Sequence, residues 1–252
     1  MRLIWHGTAA VEAVNAKGRI LFDPFVPLKG SPVDVSLDEY DGFPYVFVTH
    51  GHLDHIVSLP DIIKRNPGTK VYCTGTPYRV LWSKGIPKRN LVLMGYGQTH
   101  DICGFTVRLF HGRHAELPRA TFCRAYRILS SPHRGNLPYI IRENRKCREN
   151  DETVFYQIES EGKTVSLMGS LNLRDEVDYP IRSDLLILPY NGWEDNYLPA
   201  VRVIERLKPK RVLLHHYDDT FPPLTENMDL SRILEKYEGR VSAMKLRKME
   251  MV

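Results

Sequence analysis

The stretch YVFVTHGHLDH, residues 45 to 55, limits this chain more than any other. It places three of the ten histidines and an aspartate within six positions, directly after an apolar run rich in aromatic and β-branched residues. The run suits a short buried strand. The histidines suit no regular element: imidazole is a mediocre strand and helix former, and crowded imidazoles repel when protonated. A metal ion would favour them as a group. In a tight loop after a strand, residues two apart converge, so His50 and His52 are expected to share one ion. Asp54 and His55 then face a second. Imidazole nitrogen suits zinc, and carboxylate also suits manganese or iron, so one or two divalent ions are expected, zinc first among them.

Four residues cannot complete two coordination shells. Further ligands are offered at two other strand ends, FHGRHAEL (His111, His114) and LLHHYDD (His215, His216). Around these, RLIW, AAVEAV and RILFDPF read as strands separated by His-Gly and Lys-Gly turns. HIVSLPDIIKRNPG reads as a helix that Pro60 kinks or delays, KVYCT as a strand and TPYRVLWSKG as a short helix. NLVLM and FTVRLF continue the strands to His111. TVFYQIES-EGK-TVSLMG reads as a hairpin, while DLLILPY and RVLLHH bracket the helix NYLPAVRVIERLK. DLSRILEKYEG and RVSAMKLRKM close the chain as helix and strand. No Gly/Ser linker interrupts this order, so one α/β domain spanning residues 1–252 is expected.

Residues 112–150 break the rhythm with three prolines, many arginines and weak periodicity. From Arg113 to Arg148 there are eight arginines and one lysine against two glutamates, a local balance of +7 in a chain of net charge +5. The basic surplus therefore lies in one segment, an insertion at about 113–150 beside the loop that carries His114. Its arginines (113, 119, 124, 127, 134, 142, 145 and 148) have the forked geometry to clamp a phosphate or carboxylate, and a solvated or oligomer-forming surface is the alternative. The four cysteines are scattered, which argues against a disulfide framework and suits a reducing compartment. No apolar window is long enough to span a membrane, and the N-terminus lacks the long apolar region of a secretory signal. A cytoplasmic protein is expected.

His-x-His-x-Asp-His after a strand and a threonine, with ILFDPF upstream and His-Tyr after a late apolar strand, resembles the metallo-β-lactamase-fold hydrolases. Within them the chain looks like the branch related to L-ascorbate-6-phosphate lactonase. The resemblance covers nearly the whole chain and implies a four-layer αβ/βα sandwich with a binuclear metal site at one edge of its sheets. It implies His50, His52 and His114 as ligands of a first ion, with His114 preferred over His111. It implies Asp54, His55 and His216 for a second, with His215 turned to the opposite face of its strand. Asp23 matches a position beside the metal histidines, where it would orient an imidazole; a turn aspartate before proline is the bland alternative. One position departs from the pattern. The family usually carries a bridging aspartate where LMGSLNLRDE has Ser170, which removes one negative charge from between two dications about 3.5–4 Å apart. A mononuclear site, a stand-in from Asn172 or Asp175, or completion by an anionic substrate would each answer this.

A metal ion lowers the pKa of bound water towards ~7 and polarises the bond under attack. The expected function is therefore a hydrolase that uses metal-activated hydroxide on a small anionic substrate, an ester, lactone or phosphorylated compound. Asp54 would orient the hydroxide, and Arg113 and Asn191 would contact the substrate. LPYNGW (Tyr190 to Trp193) is a candidate substrate wall and Asp218 and Asp219 are candidate supports. Two alternatives share the site: a phosphodiesterase or nuclease with the basic segment as backbone cradle, and a non-catalytic family member that binds a metal or ligand. No nucleic-acid module is recognisable, so nucleic acid is the less favoured partner; homo-oligomerisation is left open.

Overall fold

The computed structural model describes residues 1–115, 122–191 and 196–252. The first half runs β1 (Arg2–Trp5), β2 (Val11–Asn15), β3 (Gly18–Phe22), β4 (Tyr45–Phe47), α1 (Leu53–Ile56), α2 (Leu59–Arg65), β5 (Lys70–Cys73), α3 (Gly75–Ser83) and β6 (Leu91–Leu93). It continues through β7 (Thr99–Ile102), β8 (Phe105–His111), α4 (Phe122–Ser130), α5 (Leu137–Asn144), β9 (Val154–Ser160) and β10 (Lys163–Met168). β11 (Leu185–Pro189), α6 (Tyr197–Leu207), β12 (Arg211–His215), α7 (Ser231–Lys236), β13 (Val241–Ala243) and β14 (Met249–Met251) complete it.

The strands form two seven-stranded sheets, in spatial order β14-β1-β2-β3-β4-β5-β6 and β13-β12-β11-β10-β9-β8-β7. Strand alternation sorts side chains between layers. In the first sheet Ile20, Phe22 and Phe47 face the second sheet, while Leu21, Val46 and Val71 face α2 and α3. In the second sheet Tyr156, Val165, Leu167 and Leu213 face inward, and Phe155, Leu186, Val212 and Leu214 pack beneath α6 and α7. Helix α6 buries Ala200, Val203, Ile204 and Leu207, one stripe at helical spacing. The arrangement is the expected αβ/βα sandwich.

The departures from the sequence reading have local causes. The helix expected from residue 55 is two pieces, because Pro60 starts α2 in its first turn after α1 has ended. The terminal RVSAMKLRKM is two short strands on different sheets, β13 on β12 and β14 on β1, with Arg247 at φ 59 between them. Residues 122–144, read as irregular, form α4 and α5. Helix α5 joins the helical layer of the first sheet: Ile140 is buried, and Glu143 pairs with Lys84 just beyond α3 and with Arg142. Arg127 pairs with Glu226, and Asn136 Nδ2 donates to the carbonyls of Lys29 and Pro222. These bonds hold the inserted helices across the end of the sandwich.

Beneath that end two bonds tie the sheets together. The Val154 N–H donates to the Thr49 carbonyl at 2.8 Å, and the buried Tyr156 hydroxyl donates to the Val48 carbonyl at 2.6 Å. Tyr156→Phe should therefore destabilise the protein by about 1–2 kcal/mol, since a buried carbonyl loses its donor. Urea unfolding with an unchanged m-value would measure it.

Candidate metal centre

The carboxyl ends of β4, β8, β10, β11 and β12 converge on one edge of the sandwich, where chain reversals expose backbone and side chains together. β4 delivers Thr49 and His50, β8 His114, β10 Ser170, β11 Asn191 and β12 His216. Two groups of ligand atoms result: His50, His52 and His114 in one, Asp54, His55 and His216 in the other, the atoms of each group lying within 4.8 Å of one another.

Spacing within the groups is that of atoms around an ion. Two nitrogens bound to a tetrahedral zinc at about 2.05 Å sit about 3.3 Å apart. His50 Nε2 and His52 Nδ1 are 3.2 Å apart, His55 Nε2 and Asp54 Oδ2 3.5 Å, and His216 Nε2 and Asp54 Oδ2 3.0 Å. The donor set fits divalent metal: five imidazoles and one carboxylate, mostly buried.

Proton placement points the same way. Thr49 N donates to Asp23 Oδ1 at 2.8 Å and Thr49 Oγ1 to Asp23 Oδ2 at 2.6 Å. The hydroxyl proton is thus committed, so Thr49 Oγ1 accepts from His50 Nδ1–H at 3.0 Å. His55 Nδ1 donates to Asp23 Oδ2 at 2.9 Å. Each of these rings then turns Nε2, with its lone pair, towards its group. Asp23 is 1% exposed. It lies in hydrogen-bond reach of both Thr49 and His55.

Burial lowers the pKa of His50 well below its ordinary value, and the neighbouring imidazoles lower it further. Burial, with His114 beside it, pulls His52 down to about 4. Burial also lowers His114, against the pull of the Ala115 carbonyl. These three rings are neutral and ready to ligate near pH 7. Burial raises the Asp54 pKa, but His55 and His216 outweigh it and hold the carboxyl below its ordinary range. His55 is raised, because Asp23 and Asp54 outweigh its burial.

The backbone is bent to bring these groups in. Asp23 (φ 44), His216 (φ 58) and Thr8 (φ 49) occupy the left-handed region unusual for non-glycine residues. The turn at His216 separates it from His215, whose ring centre is 6.4 Å away and whose side chain is buried outside both groups. His216 Nδ1 is buried without a hydrogen-bond partner among the described residues. Asp218 is also buried, and its Oδ2 accepts from Thr8 N at 2.8 Å. His111, the alternative to His114, stacks on Tyr96 and bonds to the Asp151 carbonyl at 2.8 Å, apart from both groups. Asp219 accepts from Thr225 Oγ1 at 2.7 Å, a loop contact.

A cavity of about 420 Å³ opens over both groups, within the range of small-molecule sites. Ser170 and Asn191 line it. Ser170 Oγ accepts from Ala115 N–H at 3.0 Å. The two expected stand-ins are elsewhere. The Asn172 amide turns to the His114 carbonyl at 3.5 Å and does not line the cavity; Asp175 is fully exposed beside Arg206. Arg113 is exposed and outside the cavity lining, contrary to its expected substrate contact. Glu116, Arg119, Gly192 and Trp193 lie outside the described residues, as do the side chains of Cys123 and Arg124. The sequence reading missed Leu53, Ile140, Phe221 and Leu224 as cavity walls.

A mixed two-sheet sandwich with a histidine-aspartate cluster at its edge defines a metal-dependent hydrolase class. Residues 18–217 match the family model described as a β-lactamase superfamily domain. A UPF0173 metal-dependent hydrolase of Archaeoglobus fulgidus is 25% identical over 240 residues, covering 95% of this chain and 92% of the relative. A second, from Desulfitobacterium hafniense, is 25% identical over 242 residues, covering 94% and 91%. Among solved structures, a metallo hydrolase of Ignicoccus hospitalis superposes with TM-score 0.64 at 19% identity, covering 99% of this chain and 97% of its own. The chain belongs to the metallo-β-lactamase superfamily of metal-dependent hydrolases.

His52→Ala should lower the bound metal of the purified protein through the first group, and Asp54→Ala through the second. Elemental analysis measures both; undiminished metal in the two variants would refute the assignment.

Proposed function

We propose that this protein hydrolyses a small anionic substrate, an ester, lactone or phosphorylated compound, with one or two divalent ions held by His50, His52 and His114 and by Asp54, His55 and His216. The observation that carries the reading is the pair of ligand groups at ion-ligand spacing on the floor of a small-molecule cavity. Zinc is the metal the imidazole-rich first group favours, with manganese or iron better suited to the carboxylate-bearing second.

A bound divalent ion makes its water more acidic and polarises the bond under attack. The chain's own residues then divide the work. Asp54 Oδ2 belongs to the second ligand group, which leaves Oδ1 to accept a hydrogen bond from the attacking water and orient it. Ser170 Oγ already accepts from Ala115, so its own proton is available to donate into the cavity. Ser170, if it occupies the bridging position, would add no charge to a pair of ions, so the second group would hold its ion more weakly and an anionic substrate group would help to complete it. The lactonase-like branch is the nearest model for such a substrate.

Residues 1–252 are read as one domain with residues 113–150 inserted over the site. No helix among the described residues is long and apolar enough to cross a membrane. The free cysteines Cys73, Cys103 and Cys147 accord with a cytoplasmic setting. The nuclease alternative relies on the basic segment as a cradle, yet among its described arginines only Arg148 lines the cavity.

Turnover of an alkyl lactone, an aryl phosphodiester and single-stranded DNA by the metal-loaded protein tests the reading. The lactone or the phosphodiester should be hydrolysed, and Asp54→Asn should slow that reaction by about 10²–10⁴-fold. Faster cleavage of DNA, falling steeply with salt, would instead establish the nuclease. Ser170→Asp should raise occupancy of the second ion, read as metal per chain; no change would mean that position 170 does not bridge.

A further inference from the structure

Eight arginines crowd the inserted segment, but the structure separates those it describes. Arg127 pairs with Glu226, Arg142 with Glu143, and Arg113, Arg134 and Arg145 lie outside the cavity lining. Arg148 alone of the described ones lines the cavity, and it makes no ion pair or hydrogen bond among the described residues. Its placement is not accidental. A methyl group at position 51 would overlap the Arg148 carbonyl oxygen, so the glycine between His50 and His52 lets this segment lie directly against the histidine turn. Cys147, buried next to it, anchors the backbone in the core. Asn144, one turn earlier, lines the same wall.

The remaining walls have a different character. Leu53, Ile140, Phe221 and Leu224 line the cavity, three of them buried. Glu149, the acidic group on the rim, is occupied: its carboxylate accepts from the N–H groups of Asp151 and Thr153 and from Thr153 Oγ1 at 2.6 Å. A solute here meets an apolar surface, one uncommitted guanidinium and the metal centre.

We propose that the substrate is an amphipathic anion, with an apolar body against Leu53, Ile140, Phe221 and Leu224 and a single anionic head on Arg148 and Asn144. This rests on the hydrolase reading above and narrows its substrate class. One guanidinium serves one carboxylate or phosphate in a forked contact, not a polyphosphate. Arg148 is the residue that selects for it.

The test uses the full-length protein loaded with zinc and titrated calorimetrically with acetate, hexanoate, hexyl phosphate and hexanol. Apolar transfer contributes roughly fourfold per methylene, so hexanoate or hexyl phosphate should bind at least about 30-fold more tightly than acetate. Arg148→Met should weaken that anion about tenfold and leave hexanol unchanged, with Arg148→Lys between. Leu224→Ala should weaken the anion and hexanol alike. Preference between hexanoate and hexyl phosphate identifies the head as carboxylate or phosphate. Equal affinity for acetate and hexanoate, an anion affinity that Arg148→Met leaves unchanged, or no binding of either six-carbon anion at about 10 mM would each overturn the proposal. Metal per chain is measured on the same preparation. Arg148-dependent anion binding in protein that takes up no metal would sink the hydrolase reading and leave this one standing. Full metal with no dependence on Arg148 would do the reverse.

Discussion

The Asp23 carboxylate organises this molecule. A buried charge is costly unless paired and hydrogen-bonded, and Asp23 accepts from the Thr49 amide, the Thr49 hydroxyl and His55 Nδ1. By committing the Thr49 proton it also fixes the tautomer of His50, one residue on. One side chain on the turn after β3 therefore aims a nitrogen into each ligand group. Thr49 is also where the sheets join, through its carbonyl to Val154. Gly169 completes the junction: a Cβ there would collide with that of Thr49, so the end of β10 comes as close to β4 as backbone allows. Seam and metal centre share the same atoms, which makes the site as rigid as the core below it.

Such an arrangement explains which parts were legible in sequence. His50, His52, Asp54 and His55 are close in the chain, so their convergence needs only one turn. The choice of His216 over His215 depended on resemblance, and the structure gives its cause in the left-handed turn at His216. Strands whose faces are both buried, such as LLILP, announce themselves by composition. β7, with the polar sequence THDI at a sheet edge, does not, since its pairing with β8 comes from tertiary context. Helices α4 and α5 were hidden by their arginines: Tyr126, Leu129 and Ile141 are exposed, so apolar residues there do not mark one inward stripe.

The same segment shows the limit of reading charge from composition. A count of arginines locates positive potential; it does not say where each guanidinium points. Partners do that, and they are distant in sequence, as Glu226 is from Arg127. A net positive segment beside a site can raise the local concentration of anions and their rate of encounter without any one arginine touching them. On the proposal made above, selection would occur further in, where Arg148 lines a cavity with apolar walls.

Ser170 fits this division of labour. A bridging carboxylate would remove one unit of positive charge from a centre holding two dications. If position 170 is the bridging one, serine there would leave a stronger pull on any anionic oxygen brought near and a weaker hold on a second ion. On the reading proposed above, substrate charge would act at two places: the head group at Arg148, and the developing negative charge beside the two ligand groups. Because the electrostatic benefit at the second place is realised chiefly as the bond breaks, it lowers the barrier more than it tightens binding. A centre short of one carboxylate would thus hold metal less tightly and be better matched to a transition state that brings its own charge.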